Sequence, residues 1–126
     1  MSFIKLFPPD GDDTLAVSDV IRRLQEEFDI VNSDPDEGQD YVSGIIAATL
    51  GFSDAIVDKQ RIIDRLKSVQ KDSVYLSFGD DLGLVACCCI IPGEELFFGS
   101  PDEVNGPARS LVERAALALG YTLFEG

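Results

Sequence analysis

The eight residues Leu84-Val85-Ala86-Cys87-Cys88-Cys89-Ile90-Ile91 contain no charged or strongly polar side chain. Successive side chains of a strand point to opposite faces, so a run that is apolar at both parities has no face to give to water. The run predicts a central strand covered on both sides, either by helices or by a second subunit. It is also an aggregation hazard, and Asp80-Asp81 before it and Pro92, Glu94 and Glu95 after it read as gatekeepers.

The three cysteines lie inside this run and are consecutive. An odd, clustered count is not a disulfide framework, and neighbouring strand residues point apart. The thiols are expected to be reduced, buried and inert, as small hydrophobes on a strand. Only Cys87 and Cys89 share a face, and two sulfurs without a histidine do not make the usual structural zinc set. A cysteine nucleophile would lack its histidine base, because the chain has no histidine.

Around this strand the chain is acidic. Twenty-three Asp and Glu face ten Lys and Arg over 126 residues, a formal net charge of −13. Such a field repels phosphate backbones and anionic lipid, so no nucleic acid and no membrane is expected as a partner. Absent histidine also removes the commonest general base and the commonest metal ligand. The apolar content is that of an ordinary globular protein, which points to a single domain over residues 1–126. The opening Met1-Ser2-Phe3-Ile4-Lys5-Leu6-Phe7 is too short for a signal h-region and runs into Pro8-Pro9, giving the expectation of a cytoplasmic protein.

Residues 3–7 read as a first strand. Asp12 or Asp13 offers a helix cap, and Val17, Val20, Ile21, Leu24 and Phe28 recur at helical spacing over residues 14–28. Ile30-Val31 reads as a second strand, completing a βαβ unit with parallel strands. Residues 33–39 read as a polar loop with Pro35 and Gly38. Asp40 then caps a helix to Leu50, apolar nearly all round and therefore expected to be buried, with Ser43 and Gly44 permitting close approach.

A third helix runs from a Ser53 cap to about Gln70, with Ile56, Ile62, Ile63, Leu66 and Val69 inward and the pairs Asp58–Arg61 and Asp64–Lys67 on its surface. Strands follow at 74–78, 82–91 and 95–98, separated by turns at Asp80-Asp81 and Pro92-Gly93. A last helix region runs from Pro101 or Asp102, regular from near Pro107, to a stop at Gly120, and residues 121–124 form a terminal strand. This order suits an α+β fold with a mixed, mostly antiparallel sheet and packed helices. A ferredoxin-like plait with a two-helix insertion is one arrangement that fits it.

The charge is unevenly placed. Residues 1–40 hold eleven acids and three bases, residues 41–80 five of each, and residues 81–126 seven acids and two bases. Within the first segment the acids form two groups: Asp10, Asp12 and Asp13 after the first strand, and Asp34, Asp36, Glu37 and Asp40 after the second. Parallel strands would put both groups at one pole. That pole reads as a solvated solubility feature, as a surface for a basic partner protein, or as a seat for Mg²⁺ or Ca²⁺. The calcium-loop pattern fails, because counting from Asp34 puts Gly38 one place early and Ile45 at position twelve.

No phosphate loop, dinucleotide fingerprint or nucleophile elbow occurs, and Ser68-Val69-Gln70-Lys71 lacks the companion motifs of the Ser-x-x-Lys hydrolases. Tyr41, Tyr75 and Tyr121 sit on core-like patterns. No cofactor is implied and no catalytic set emerges. The functional expectation is a non-enzymatic interaction module, such as an inhibitor, an immunity-type protein or an adaptor. The alternative is a regulatory domain for a small molecule or a divalent cation. Homo-oligomerisation stays open.

Overall fold

The first strand, β1 (Ile4–Phe7), buries Ile4 and Leu6 completely and turns Lys5 and Phe7 away from the core. The computed structural model, which describes residues 2–52, 58–80 and 83–126, carries the chain from there through an extended stretch into α1 (Val17–Glu27). That helix buries Val20 and Leu24, as its spacing predicts, and ends where the Phe28 amide donates to the Leu24 carbonyl at 2.8 Å. Its N-cap is Ala16, without a side-chain bond, so neither Asp12 nor Asp13 caps it.

The crossover then leads elsewhere than expected. β2 (Ile30–Asp34) pairs antiparallel with β3 (Val74–Gly79), which pairs antiparallel with β4 (Val85–Ile90). β1 instead lies between β5 (Leu96–Phe98) and β6 (Thr122–Glu125), antiparallel to both. The expected parallel pair is therefore absent. The physical reason is that α1 packs against the last helix, α5 (Arg109–Leu119), and delivers the chain from one sheet to the other. The strand orders are β5-β1-β6 and β2-β3-β4, an α+β fold that does not reproduce the ferredoxin-like plait.

Both sheets turn their inner faces to one hydrophobic cluster. Ile4, Leu6, Leu76, Phe78, Ala86, Cys88, Leu96 and Phe98 meet Val20 and Leu24 of α1 and Val112, Ala115 and Leu119 of α5. Across the two sheets Phe78 stands edge-on to Phe98, with centroids 6.0 Å apart and planes at 88°. That geometry is favourable for aromatic pairs. α5 stops where Gly120 takes φ +69°, as its glycine predicts.

The cysteine strand departs from the central position expected of it. β3 is the middle of its sheet and β4 is its edge. Ala86, Cys88 and Ile90 are buried, Cys87 and Cys89 are half-buried, and Val85 is exposed. After the Pro92-Gly93 turn the chain does come back beside β4 as β5, but β5 spends its ladder on β1.

The outer face of β2-β3-β4 is partly covered by a helical hairpin. α2 (Pro35–Leu50) begins six residues earlier than expected. The Asp34 carboxylate, not Asp40, caps it by accepting from the Glu37 amide at 3.0 Å, and Pro35 fills the first turn. Gly38 allows the helix to lie against β3, since a Cβ there would stand 2.5 Å from the Val74 Cα.

α3 (Lys59–Val69) is capped by Asp58, which accepts from the Arg61 amide at 3.2 Å; Asp64 accepts from Gln60 at 2.8 Å rather than pairing with Lys67. The two helices run antiparallel, and the Gln70 amide closes the hairpin with bonds to the Gln39 carbonyl and the Ser43 hydroxyl. Val42, Leu66 and Ile91 form a small second core between hairpin and sheet. The expected Ser53 cap, Ile56, and the Asp81 half of the expected turn lie outside the described residues.

α2 is not the buried helix its composition suggests. Tyr41 is 45% and Leu50 59% exposed, and Ser43, Gly44, Ala47 and Ala48 also face outward. A short α4 (Pro101–Val104), capped by Ser100, precedes α5. Among the described residues no helix is long and apolar enough to cross a membrane.

Candidate functional site

Strand parity sends every second side chain away from the shared core. On β5-β1-β6 and its flank these are Phe3, Lys5, Phe97 and Phe124. Phe3 stacks on Phe97 at 5.3 Å, Phe124 lies 6.3 Å from Phe3, and the Lys5 ammonium sits 5.6 Å from the Phe3 ring centre while pairing with Glu95 at 3.5 Å. On β3 and β4 the outward residues are Tyr75, Cys87 and Cys89. The α2–α3 hairpin covers only part of this surface. Between it and β5 lies a groove of about 350 Å³ lined by Tyr41, Ile45, Ile62, Leu66, Cys89, Ile91 and Phe97, with Glu94 and Glu95 at its margin. A second cleft of about 240 Å³ shares Tyr41, Cys89 and Phe97 and continues to Tyr75, Cys87, Ser100 and Glu103.

Glu103 forms one wall of the smaller cleft. It is 7% exposed, and its carboxylate accepts from the Cys87 amide at 2.9 Å. Cys87 lies at the edge of β4, so the carboxylate satisfies a main-chain donor that a neighbouring strand would otherwise take. Ser100, by capping α4, holds the Glu103 backbone in place. The result is a wedge between β4 and the helix region after β5.

The thiols and phenols of the smaller cleft are held protonated. Burial, then the Glu103 charge, pushes the Cys87 thiol up; burial takes Cys89 up to about 11. Tyr75 rises to about 12, through burial first and then its contacts with Cys87 and the charges of Glu37 and Glu103. Burial also raises Tyr41 and Cys88. At neutral pH this surface therefore presents thiols and phenols, without a thiolate nucleophile. It can bury an apolar side chain and exchange hydrogen bonds with a polar group beside it.

The seven acids of the sequence reading are all exposed, and among the described residues none is ion-paired with a Lys or Arg. Asp10, Asp12 and Asp13 follow β1. Asp12 and Asp13 line a separate cleft of about 390 Å³ with Pro9, Arg23, Leu119 and Tyr121, where Arg23 donates to the Leu119 carbonyl and the Tyr121 hydroxyl accepts from the Leu15 amide. Asp34, Asp36, Glu37 and Asp40 belong to the end of β2 and the start of α2 rather than to a loop. This second group adjoins the smaller cleft, since the Glu37 charge acts on both Tyr75 and Cys87. The two groups hang on different sheets, so the parallel pair that was to unite them is not available to do so. Among the described residues no cluster of three or more carboxylates or thiols is disposed to hold a metal ion.

The sequence reading passed over Tyr41, Ile62 and Phe97 as surface features, although the outward parity of Phe97 beside the buried Leu96 and Phe98 was a usable signal. Arg114 pairs with Asp80 at 2.6 Å and Glu27 at 3.0 Å and lies 4.6 Å over the Phe28 ring. The Arg114 bond holds the Asp80 carboxyl below the usual range. Arg109 joins the Val104 carbonyl, Glu113 and Glu125. Both arginines tie α5 to distant segments and neither lines the groove. Comparison of the chain with protein-family models, with curated proteins and with solved structures finds no match to any of them.

Proposed function

We propose that this chain is a non-enzymatic protein-interaction module that engages a basic partner protein through its outward groove. The observation that carries the reading is the pairing of an apolar groove with carboxylates beside it: Tyr41, Ile62 and Phe97 for an apolar anchor, and Glu94, Glu95 and the acidic start of α2 around them. A desolvated apolar pocket with an aromatic wall is the usual centre of an interface, and opposite charge around it steers the encounter. Glu95 and Glu94 now hold Lys5 at 3.5 Å and Arg65 at 3.1 Å, both exposed pairs that a partner's cation can replace at little cost.

The test is affinity capture from the native lysate with wild type, Phe97→Glu and Ile62→Asp at two ionic strengths. Phe97 and Ile62 are 49% and 38% exposed, so both variants should keep the fold. A protein recovered by wild type and lost with both variants, and weakened by salt, supports the reading. Equal recovery by all three chains refutes it.

A second reading rests on the cleft of Asp12, Asp13, Arg23 and Tyr121, which offers charges of both signs to a small polar molecule. A thermal-shift screen of zwitterionic metabolites separates it from the first, because ligand at a hundred times Kd adds about 2.7 kcal/mol of stability.

A further inference from the structure

We infer that the smaller cleft is a binding site for a quaternary ammonium group, with Glu103 as its counter-charge and Tyr41, Tyr75 and Phe97 as its walls. The inference goes beyond the groove reading, since Tyr75 and Glu103 line this cleft and not the groove. Among the described residues Glu103 is the one charged side chain that is buried, and no Lys or Arg pairs with it. Buried carboxylates are ordinarily paired, because something must offset the loss of water around the charge. The Cys87 amide, which donates to one Glu103 oxygen at 2.9 Å, offsets part of that loss and leaves the charge in place.

The walls select the cation that completes the pair. Tyr41 from α2 and Tyr75 from β3 stand with ring centroids 6.5 Å apart and planes at 46°, so they make a corner rather than a stack. Phe97 of β5 lines the same space of about 240 Å³, and no Lys or Arg does. The face of an aromatic ring attracts a cation within ~6 Å of its centre, and quaternary ammonium groups suit such a set of rings best. Glu37, at the start of α2, adds its negative charge to the field on Tyr75 and Cys87.

Other cations match the cleft less well. A hard metal ion takes several oxygen ligands, and among the described residues no cluster of three or more carboxylates or thiols is disposed to hold one. A guanidinium engages a carboxylate through two parallel bonds, and one Glu103 oxygen already serves the Cys87 amide. An unmodified primary ammonium is strongly hydrated and would have to exchange that water for ring faces. A quaternary ammonium has no N–H to satisfy and carries its charge behind methyl groups. It needs a counter-charge beside an aromatic wall, and the cleft supplies both.

Titration of the full chain with choline, and with a peptide carrying one trimethyllysine, tests this. Two of the three tyrosines line the cleft and the chain has no tryptophan, so tyrosine fluorescence reads its occupancy. Wild type should show a saturable change with at least one of the two, and dimethylbutanol, the neutral isostere of choline, should bind about tenfold more weakly than choline or not at all. Glu103→Gln keeps an acceptor for the Cys87 amide while removing the charge, and should weaken binding about tenfold. If that variant fails to fold, Tyr41→Leu, at a position 45% exposed, carries the test with the same expected loss. Ile62→Asp belongs to the groove and not to the cleft, so it should bind as wild type does, and the two readings can fail separately. Tighter binding of the peptide assigns the ammonium to a protein tail, and tighter binding of choline to a small molecule; either supports the site. The proposal is overturned if neither ligand gives a saturable change, if choline and its neutral isostere bind alike, or if binding is indifferent to Glu103→Gln or to Tyr41→Leu.

Discussion

α2 and α3 form one hairpin and share one small core, yet they face the outside in opposite ways. α3 turns Gln60, Arg61, Asp64, Arg65, Lys67 and Ser68 outward, the expected dress of a solvated helix. α2 turns out Tyr41, Gly44, Ala47, Ala48 and Leu50. Inward the two are alike, since Val42 and Leu66 meet the same Ile91. Among the described residues no packing within the chain accounts for the difference. It leaves Tyr41, at one margin of that side, as an exposed apolar wall of the groove that the proposed function uses.

The largest expected effect lies on the shared inner side. Leu66→Ala removes a buried side chain and should cost about 2–5 kcal/mol in denaturant melts. A loss below about 0.5 kcal/mol would place α3 in solvent and end the comparison. Next comes Gly38→Ala, where the new Cβ is driven against the Val74 backbone; the overpacking should cost about 1–3 kcal/mol. An unchanged midpoint would mean that α2 rides higher on β3 than described.

A smaller effect should appear with alkali, under reducing conditions. Cys89 lies against α2, its sulfur 3.9 Å from the Gly38 carbonyl, and burial raises its thiol from 9.0 to about 11. The folded chain holds that proton more tightly than the unfolded chain. Its contribution is therefore whole below pH 9 and lost as pH rises towards 11. Urea midpoints of wild type and Cys89→Ala should converge across that window, and a constant gap would show that Cys89 is not buried by the hairpin.

Gly44→Ala should then act with the opposite sign to Gly38→Ala. In dilute protein it should stabilise the single chain by up to about 1 kcal/mol, since it relieves a helix-interior glycine without a clash. A destabilised chain would reveal a close contact within the monomer. The smallest effect belongs to the solvated side: Lys67→Ala should stay within about 0.5 kcal/mol.

What the sequence made legible was local. The stripe from Val17 to Leu24, the stop at Gly120 and the α+β order all rest on spacing and glycine chemistry that neighbouring residues decide. Partner choice was illegible. Nothing in residues 4–7 says that β1 will pair with residues 122–125 rather than with β2, because a strand's alternation names its buried face and not its neighbour. The start of α2 was missed because Asp34 and Asp40 are equally good caps in sequence, and only the end of β2 decides between them. The burial of α2 was overread because an apolar face reads the same in sequence whether a core or solvent lies over it. The groove was invisible as a unit, since Tyr41, Ile62 and Phe97 come from three separated segments, and its wedge depends on Glu103 reaching a main-chain donor.

The position of β1 between β5 and β6 has a consequence in time. Residues 4–7 are made well before their partners, since both strands they pair with lie beyond residue 95. Ile4 and Leu6 must wait, unsheltered, until residues 96–98 and 122–125 have been made, while β2, β3 and β4 already have their partners at hand. Long-range pairing of this kind is slow to close. Synthesis should therefore assemble the cysteine sheet first and admit β1 afterwards, with the arrival of residues 122–125 as the step that completes its sheet.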